Sequence, residues 1–126
     1  VYTKCPSGAP LVQHSLVVML ENYKNGKISL ERIVEKMAHN PAILFRIEKR
    51  GFIREGYKAD LVLVDLNQNW TVKKENILYK CGWSPLEGTE FHSKVTHTFV
   101  NGKLVYENGK ITQEKFGERL LFELEG

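Results

Sequence analysis

The chain has 126 residues, of which 42% are hydrophobic and 26% charged, and its formal net charge is +3 at pH 7. This length predicts one domain that can bury a core of its own. No apolar run approaches the length of a membrane span, and the basic residues are scattered among acidic ones, so we expect neither a membrane nor a nucleic acid as a partner.

Two cysteines, Cys5 and Cys81, are too few for a disulfide framework, and no stretch resembles a signal peptide. We therefore expect structural thiols and a cytoplasmic protein. The chain begins at Val1 within a turn-like segment, which indicates either a removed start or a piece of a longer chain.

A rigid loop, Pro6-Ser7-Gly8-Ala9-Pro10, comes first. Two prolines fix φ around a glycine with wide conformational freedom, and loops of this kind present backbone N–H groups. On the residues alone, a turn leading into a helix is the simpler interpretation.

Three helices are predicted before any strand. The first has an apolar stripe at Val12, Leu16, Met19, Leu20 and Tyr23 and ends at Asn25-Gly26. Ser29 is the expected cap of the second, whose stripe is Leu30, Ile33, Val34 and Met37. The third is short, with Asn40 as its cap and Pro41 at its first helical position.

The unbroken apolar run Leu61 to Val64 predicts a core strand covered on both faces. We expect the helical stretch 11–45 and a later hairpin to pack around it. Trp70 to Val72 should be extended, 73–78 a helical turn, and the glycine- and proline-rich stretch 81–88 an ordered loop.

The strongest hairpin signal is Asn101-Gly102 between Val95–Val100 and Lys103–Glu107, which is typical of a type I′ turn. Asn108-Gly109 then leads to a third strand at 110–112, which makes a meander. The tail, 113–124, carries Phe116, Leu120, Leu121 and Leu124 at helical spacing and predicts a terminal helix weakened by Gly117.

The chain lacks a recognisable catalytic cluster. Its four histidines, at positions 14, 39, 92 and 97, form neither an H-x-H nor an H-E-x-x-H motif, so no metal ligand and no catalytic residue is expected among them. His14 should be solvent-exposed on the polar side of its helix, and His97 should be packed or hydrogen-bonded within the sheet. Glycine-rich nucleotide-binding loops are also missing.

Five segments, taken in order, resemble the C-terminal portion of a dihydroorotase of the amidohydrolase superfamily. They are PSGAPLVQHSL, SLERIVEKMAHNPAILFRI, GFIREGYKADLVLVD, CGWSPLEGTEF and VTHTFVNGKLVYENGK. The third and fifth are shared with hydantoinases and allantoinases, whereas the W-S-P-L-E-G segment points to dihydroorotase.

The resemblance implies an α+β chain. Residues 1–50 would be the last loop and helices of a metal-dependent (β/α)8 barrel, and 51–126 the C-terminal share of a small β-sandwich-like domain with a terminal helix. It also implies that the zinc ligands of the parent enzyme lie upstream, so that the fragment alone holds no zinc and is inactive.

The resemblance further implies one functional element within this chain, the family's P-x-G loop. Pro6, Ser7 and Gly8 match it, and the main chain of Ser7 and Gly8 would lie against the substrate. The parent reaction is the reversible conversion of dihydroorotate and carbamoyl aspartate in pyrimidine biosynthesis, with a zinc-bound hydroxide as the nucleophile and an upstream aspartate moving the proton.

Two alternatives stay open. One is a metal-free scaffolding partner of aspartate carbamoyltransferase, and the other is a cyclic amidohydrolase for a hydantoin, dihydropyrimidine or allantoin. Because the helical stripes would lack the barrel strands that cover them in the parent, we also expect a homo-oligomer.

Overall fold

The computed structural model describes residues 8–112 and 114–123, and in these residues helices come first and strands second. The helices are α1 (Ser15–Lys24), α2 (Leu30–Val34) and α3 (Asn40–Leu44), with a π-helical turn at Glu35–His39 and a 3-10 turn at Lys74–Asn76. The strands are β1 (Leu61–Asp65), β2 (Trp70–Thr71), β3 (Glu90–Phe91), β4 (Lys94–Val100), β5 (Lys103–Glu107) and β6 (Lys110–Ile111). None of these helices is long and apolar enough to cross a bilayer.

Helix α1 ends where predicted but begins three residues after Val12, at Ser15. Val12 lies outside the helix and is 90% exposed, whereas Val17 and Leu20 form its buried side. At the other end, the Asn25 amide donates to the Glu21 carbonyl and Gly26 takes a positive φ. Of the predicted stripe, Leu20 is therefore confirmed as buried, Val12 is not, and the buried Val17 was missed.

The second and third predicted helices form one continuous helical stretch. Ser29 caps it as expected, because its side chain accepts a hydrogen bond from the Arg32 amide. Asn40 does not cap a new helix: its φ of −61° and ψ of −42° are helical, and its amide donates to the Glu35 carbonyl. Pro41 has no N–H to continue the α-helical pattern, and the wider π turn before it keeps the chain helical.

The main sheet has the strand order β1-β4-β5-β6, with antiparallel pairs throughout. Strand β1 is an edge strand, and its Val62 and Leu63 are 47% and 49% exposed. The prediction that it is covered on both faces was wrong for the described residues. An apolar run shows that a strand is suited to burial. Whether it is buried depends on other segments of the fold that pack against its two faces.

Both predicted asparagine–glycine turns are present. Asn101 and Gly102 have φ of +51° and +77°, and Asn108 and Gly109 have φ of +45° and +94°, as type I′ turns require. The predicted three-stranded meander β4-β5-β6 is therefore confirmed.

The buried core lies beside this sheet, between α1 and the small ribbon formed by β2 and β3. Val17, Val72 and Phe91 form the core cluster, and Trp70 and Val95 pack against it. The indole N–H of Trp70 donates to the Ser93 carbonyl at 2.9 Å, which joins the ribbon to the start of β4.

The predicted terminal helix is absent from residues 114–123, the described part of the tail. The end of the tail instead pairs with the segment after α3: Phe122 makes a bridge with Ile47, the Glu48 amide donates to the Leu121 carbonyl, and the Glu123 amide donates to the Arg46 carbonyl. Pairing with the segment after α3 overrode the helical spacing of the leucines.

Candidate functional site

The Pro6-Ser7-Gly8 loop falls partly outside the described residues, because Pro6 and Ser7 are not among them. Gly8 is exposed, and a Cβ at this position would meet no atom of the described residues within 4 Å. A side chain at position 8 would therefore not clash with the part of the chain that the structure describes.

The residues after Gly8 are fastened to the segment 76–84. The Tyr79 hydroxyl donates to the Pro10 carbonyl at 2.9 Å. The Gln13 side-chain amide donates to the Asn76 carbonyl at 2.8 Å and accepts from the Leu78 amide at 2.8 Å. Gln13 thus satisfies a donor and an acceptor of the same segment. These two hydrogen bonds fix the distance between the start of α1 and the segment 76–84.

His14 adds a buried contact to these hydrogen bonds, and the prediction that it is exposed was wrong. Its side chain is 0% exposed. The ring stacks on Trp70 at 6.1 Å between centroids and meets the ring of Tyr79 edge-on at 6.2 Å. Its Nδ1 lies 3.4 Å from the Ser84 hydroxyl oxygen, 70 residues along the chain.

Burial lowers the pKa of His14 from its ordinary value, because a charged imidazolium would lose its hydration. The Ser84 hydroxyl oxygen also accepts from the Leu86 amide at 3.1 Å, and the direction of its hydrogen bond with Nδ1 of His14 depends on the imidazole tautomer. The other ring nitrogen, Nε2, has no hydrogen-bond partner among the described residues. A buried unsatisfied polar group costs about 1–3 kcal/mol.

The other three histidines make separate contacts. His97 is hydrogen-bonded within the sheet as predicted, to Thr96 at 3.0 Å and Glu107 at 3.3 Å. His92 pairs with Glu21 of α1 at 3.0 Å, and His39 contacts the Gly51 carbonyl at 2.7 Å.

The structure does not bring together a metal centre from these groups: the described residues contain no group of three or more His, Cys, Asp or Glu side chains that could hold a metal ion. Cys81 is an exposed free thiol, so the structural role predicted for it has no support from burial. Cys5 lies outside the described residues.

A cavity of about 660 Å³ lies between the start of α1 and the main sheet. Its walls are largely aliphatic, with Val12, Leu16, Val62 and Val105 among them, and Lys94 and Glu75 are its charged residues. A small polar anion would gain little from such walls, so the cavity suits apolar side chains better than a cyclic amide.

Sequence reasoning missed the contacts of Gln13, His14, Tyr79 and Ser84. One signal was available: positions 14, 17 and 20 lie three residues apart, so a stripe begun at His14 rather than at Val12 identifies the side of α1 that is buried. The partners at 79 and 84 gave no signal, because their separation in sequence is large and their loop is irregular.

The Amidohydrolase family model matches residues 7–105. The chain is 36% identical to the dihydroorotase of Pyrococcus abyssi over 117 residues, which are 93% of this chain and 29% of that protein. It is also 36% identical to an allantoinase of Desulfitobacterium hafniense over 98 residues, which are 78% of this chain and 22% of the relative.

Among solved structures, the L-hydantoinase of Arthrobacter aurescens superposes with a TM-score of 0.84 at 33% identity, over 94% of this chain and 27% of that one. The chain therefore spans less than a third of the relatives that it matches. The mixed helix-and-sheet fold, the match over residues 7–105 and the similarity to dihydroorotases lead to one conclusion: this chain belongs to the amidohydrolase family.

Proposed function

We propose that this chain is the C-terminal portion of a zinc-dependent dihydroorotase, which interconverts dihydroorotate and carbamoyl aspartate in the cytoplasm. The observation that carries the proposal is the 36% identity to a dihydroorotase over 93% of the chain. A second dihydroorotase, from Pyrococcus horikoshii, is 37% identical over the same share.

In this proposal residues 1–50 contribute the last loop and helices of a (β/α)8 barrel, and residues 51–126 contribute part of a small β-domain. Two features support the division. The α-helices precede the strands along the chain. The apolar strand β1 is half-exposed, so its surface is available for packing against other parts of the full-length protein.

The described residues do not fit a zinc site, because no suitable group of ligands occurs among them. We therefore assign the metal ligands to other parts of the full-length protein, and we derive no step of the reaction through the metal. The contribution of this chain is to bind and orient the substrate.

That contribution is assigned to the loop at Pro6, Ser7 and Gly8, whose main chain would lie against the substrate ring. Gly8 presents an open, side-chain-free surface, and the hydrogen bond from Tyr79 to the Pro10 carbonyl holds the backbone two residues later. A backbone held on one side and open on the other can orient a cyclic amide without having to order itself first.

The direct test is a substrate panel on the full-length enzyme that contains this chain. Turnover of dihydroorotate, followed by its absorbance, should exceed turnover of hydantoin, dihydrouracil and allantoin by at least tenfold, and the purified protein should contain zinc. Zinc-free protein that is inactive on all four substrates and binds aspartate carbamoyltransferase would establish the scaffolding alternative instead.

A second candidate substrate class is the hydantoins and allantoin. It is favoured by the TM-score of 0.84 to an L-hydantoinase and by the 36% identity to an allantoinase. The same panel distinguishes the two classes, since the preferred ring is the one with the largest kcat/KM.

A further inference from the structure

The loop proposed to face the substrate is followed by a segment with three separate attachments to residues 76–84. They are the hydrogen bond of Tyr79 to Pro10, the paired hydrogen bonds of Gln13, and the buried contact of His14 with Ser84. Two of these three attachments use side chains of the segment that follows the loop. The two side chains belong to Gln13 and His14, which are neighbours in sequence.

His14 differs from the other attachments because it is a fully buried polar side chain with one unpartnered atom, Nε2, among the described residues. A phenylalanine would bury a ring between Trp70 and Tyr79 without that unpartnered nitrogen, but it would leave the Ser84 hydroxyl without its contact to Nδ1. The feature that the histidine supplies and a phenylalanine lacks is a ring nitrogen, Nδ1, 3.4 Å from the Ser84 hydroxyl oxygen, with which it shares a hydrogen bond in either tautomer.

Ser84 is itself fixed. It is 6% exposed, its amide donates to the Glu87 carboxylate at 3.1 Å, and its hydroxyl oxygen accepts from the Leu86 amide at 3.1 Å. The contact therefore joins the beginning of α1 to a well-ordered turn rather than to a loose loop.

We propose that His14, through Ser84, is a positioning residue that sets the place of Gly8 relative to the substrate. The proposal rests on the proposed function, because it takes Gly8 as the described residue of this chain that meets the substrate. His14 touches neither substrate nor metal in this view; it acts by holding the backbone from which Gly8 extends.

The test uses the full-length enzyme with the substitutions His14→Phe and Ser84→Ala, singly and together. Displacement of a positioned group by about 1 Å can lower the rate on the order of 100-fold. We expect each single variant to lower kcat at least tenfold, with KM changed less than threefold and zinc content unchanged. Since both substitutions remove the same contact, the double variant should be no slower than the slower single variant.

Two controls separate positioning from general damage. Ser93→Ala removes another buried serine, whose hydroxyl donates to the Leu66 carbonyl at 3.3 Å rather than to the segment 76–84, and it should leave kcat unchanged. His14→Asn keeps a polar atom near the position of Nδ1 and should restore part of the lost kcat without a matching gain in melting temperature.

The proposal is overturned if His14→Phe leaves kcat unchanged, if activity falls only in proportion to the folded fraction, or if the losses of the two variants multiply. If the wild-type enzyme fails on dihydroorotate but turns over another ring of the panel, the proposed substrate is wrong. The same variants are then measured on that ring, and the inference about His14 is judged separately.

Discussion

Gln13 and His14 are neighbours at the beginning of α1, and both direct polar atoms to the segment 76–84. The Gln13 amide has both of its functions satisfied, and each such hydrogen bond contributes about 1 kcal/mol. His14 is fully buried and only half satisfied. Two adjacent residues thus fix the same connection, one by satisfied hydrogen bonds and the other by burial.

The burial of His14 predicts how it titrates. Its pKa should lie below the ordinary value of 6.5, because burial disfavours the imidazolium. Below pH 6.5 the unfolded chain then binds more protons than the folded one, so the contribution of this group to the free energy of unfolding falls as the pH is lowered.

An NMR titration of the imidazole carbons, with His14→Gln to assign the resonance, measures this pKa directly. The midpoint should lie below 6.5. A midpoint at or above that value would show that water reaches the ring and that the burial described for His14 does not hold in solution.

Gly8 offers a second prediction about a single residue. In the full-length enzyme Gly8→Val should lower turnover strongly and stability little, because no described residue lies within 4 Å of a Cβ at this position, whereas the substrate would occupy that space in the proposed complex. Melting curves and kinetics on the same variant decide the point. A large fall in melting temperature with unchanged activity per folded molecule would show that the loop serves only as a turn before α1.

Among the elements, the helical stretch 30–44 depends on the loop that follows it. Gly51 has a φ of +78°, and a Cβ there would lie 2.4 Å from the Cβ of Ala42 and 2.8 Å from the Ala38 carbonyl oxygen. The Gly51 carbonyl also contacts His39 at 2.7 Å, and the ring of His39 stacks on Phe52 at 4.2 Å. The loop therefore packs on the helix at a point that admits no side chain.

Gly51→Ala should consequently destabilise the protein by about 3 kcal/mol or more, from backbone strain and overpacking together. Gly26→Ala is the matched control: the φ of Gly26 is +69°, but a Cβ there would meet none of the described residues within 4 Å. Because only the strain of the left-handed backbone applies, Gly26→Ala should lower the free energy of unfolding by about 1–2 kcal/mol. Urea denaturation of both variants gives the difference, and equal losses would show that Gly51 is required for its φ alone.

For the whole molecule, the exposed apolar side chains decide the behaviour of the 126-residue chain on its own. Leu20 and Ile33 find cover within the chain, but at the end of α3 Leu44 and Phe45 are 75% and 62% exposed. Burying each such side chain is worth about 1.5–3 kcal/mol, so several together approach the stability of a domain.

We therefore expect the isolated chain to self-associate. Sedimentation over a concentration series should show a growing dimer or larger species, and Phe45→Lys should shift the equilibrium towards monomer. Lys103→Glu, on the exposed first position of β5, is a control that should leave it unchanged. A monomer at every concentration would contradict the expectation and would show that these side chains tolerate water.

Local signals in the sequence determined much of this fold. The two asparagine–glycine pairs specified their turns because only a few residues tolerate positive φ at both central positions. Ser29 specified its helix start because the hydrogen bond that it makes is local. The resemblance to amidohydrolases likewise needed no structure, since it rests on the order of residues.

Tertiary structure decided the rest. Strand β1 lies at the edge of its sheet, the end of the tail pairs with residues 46–48 instead of forming a helix, and His14 is buried, although the local pattern predicted otherwise in each case. These outcomes depend on partners far away in sequence: the layers available to β1, residues 46–48 for the tail, and Ser84 for His14. A local pattern states what a segment can bury, but the free energy of burial is realised only against the surface that the folded chain brings to it.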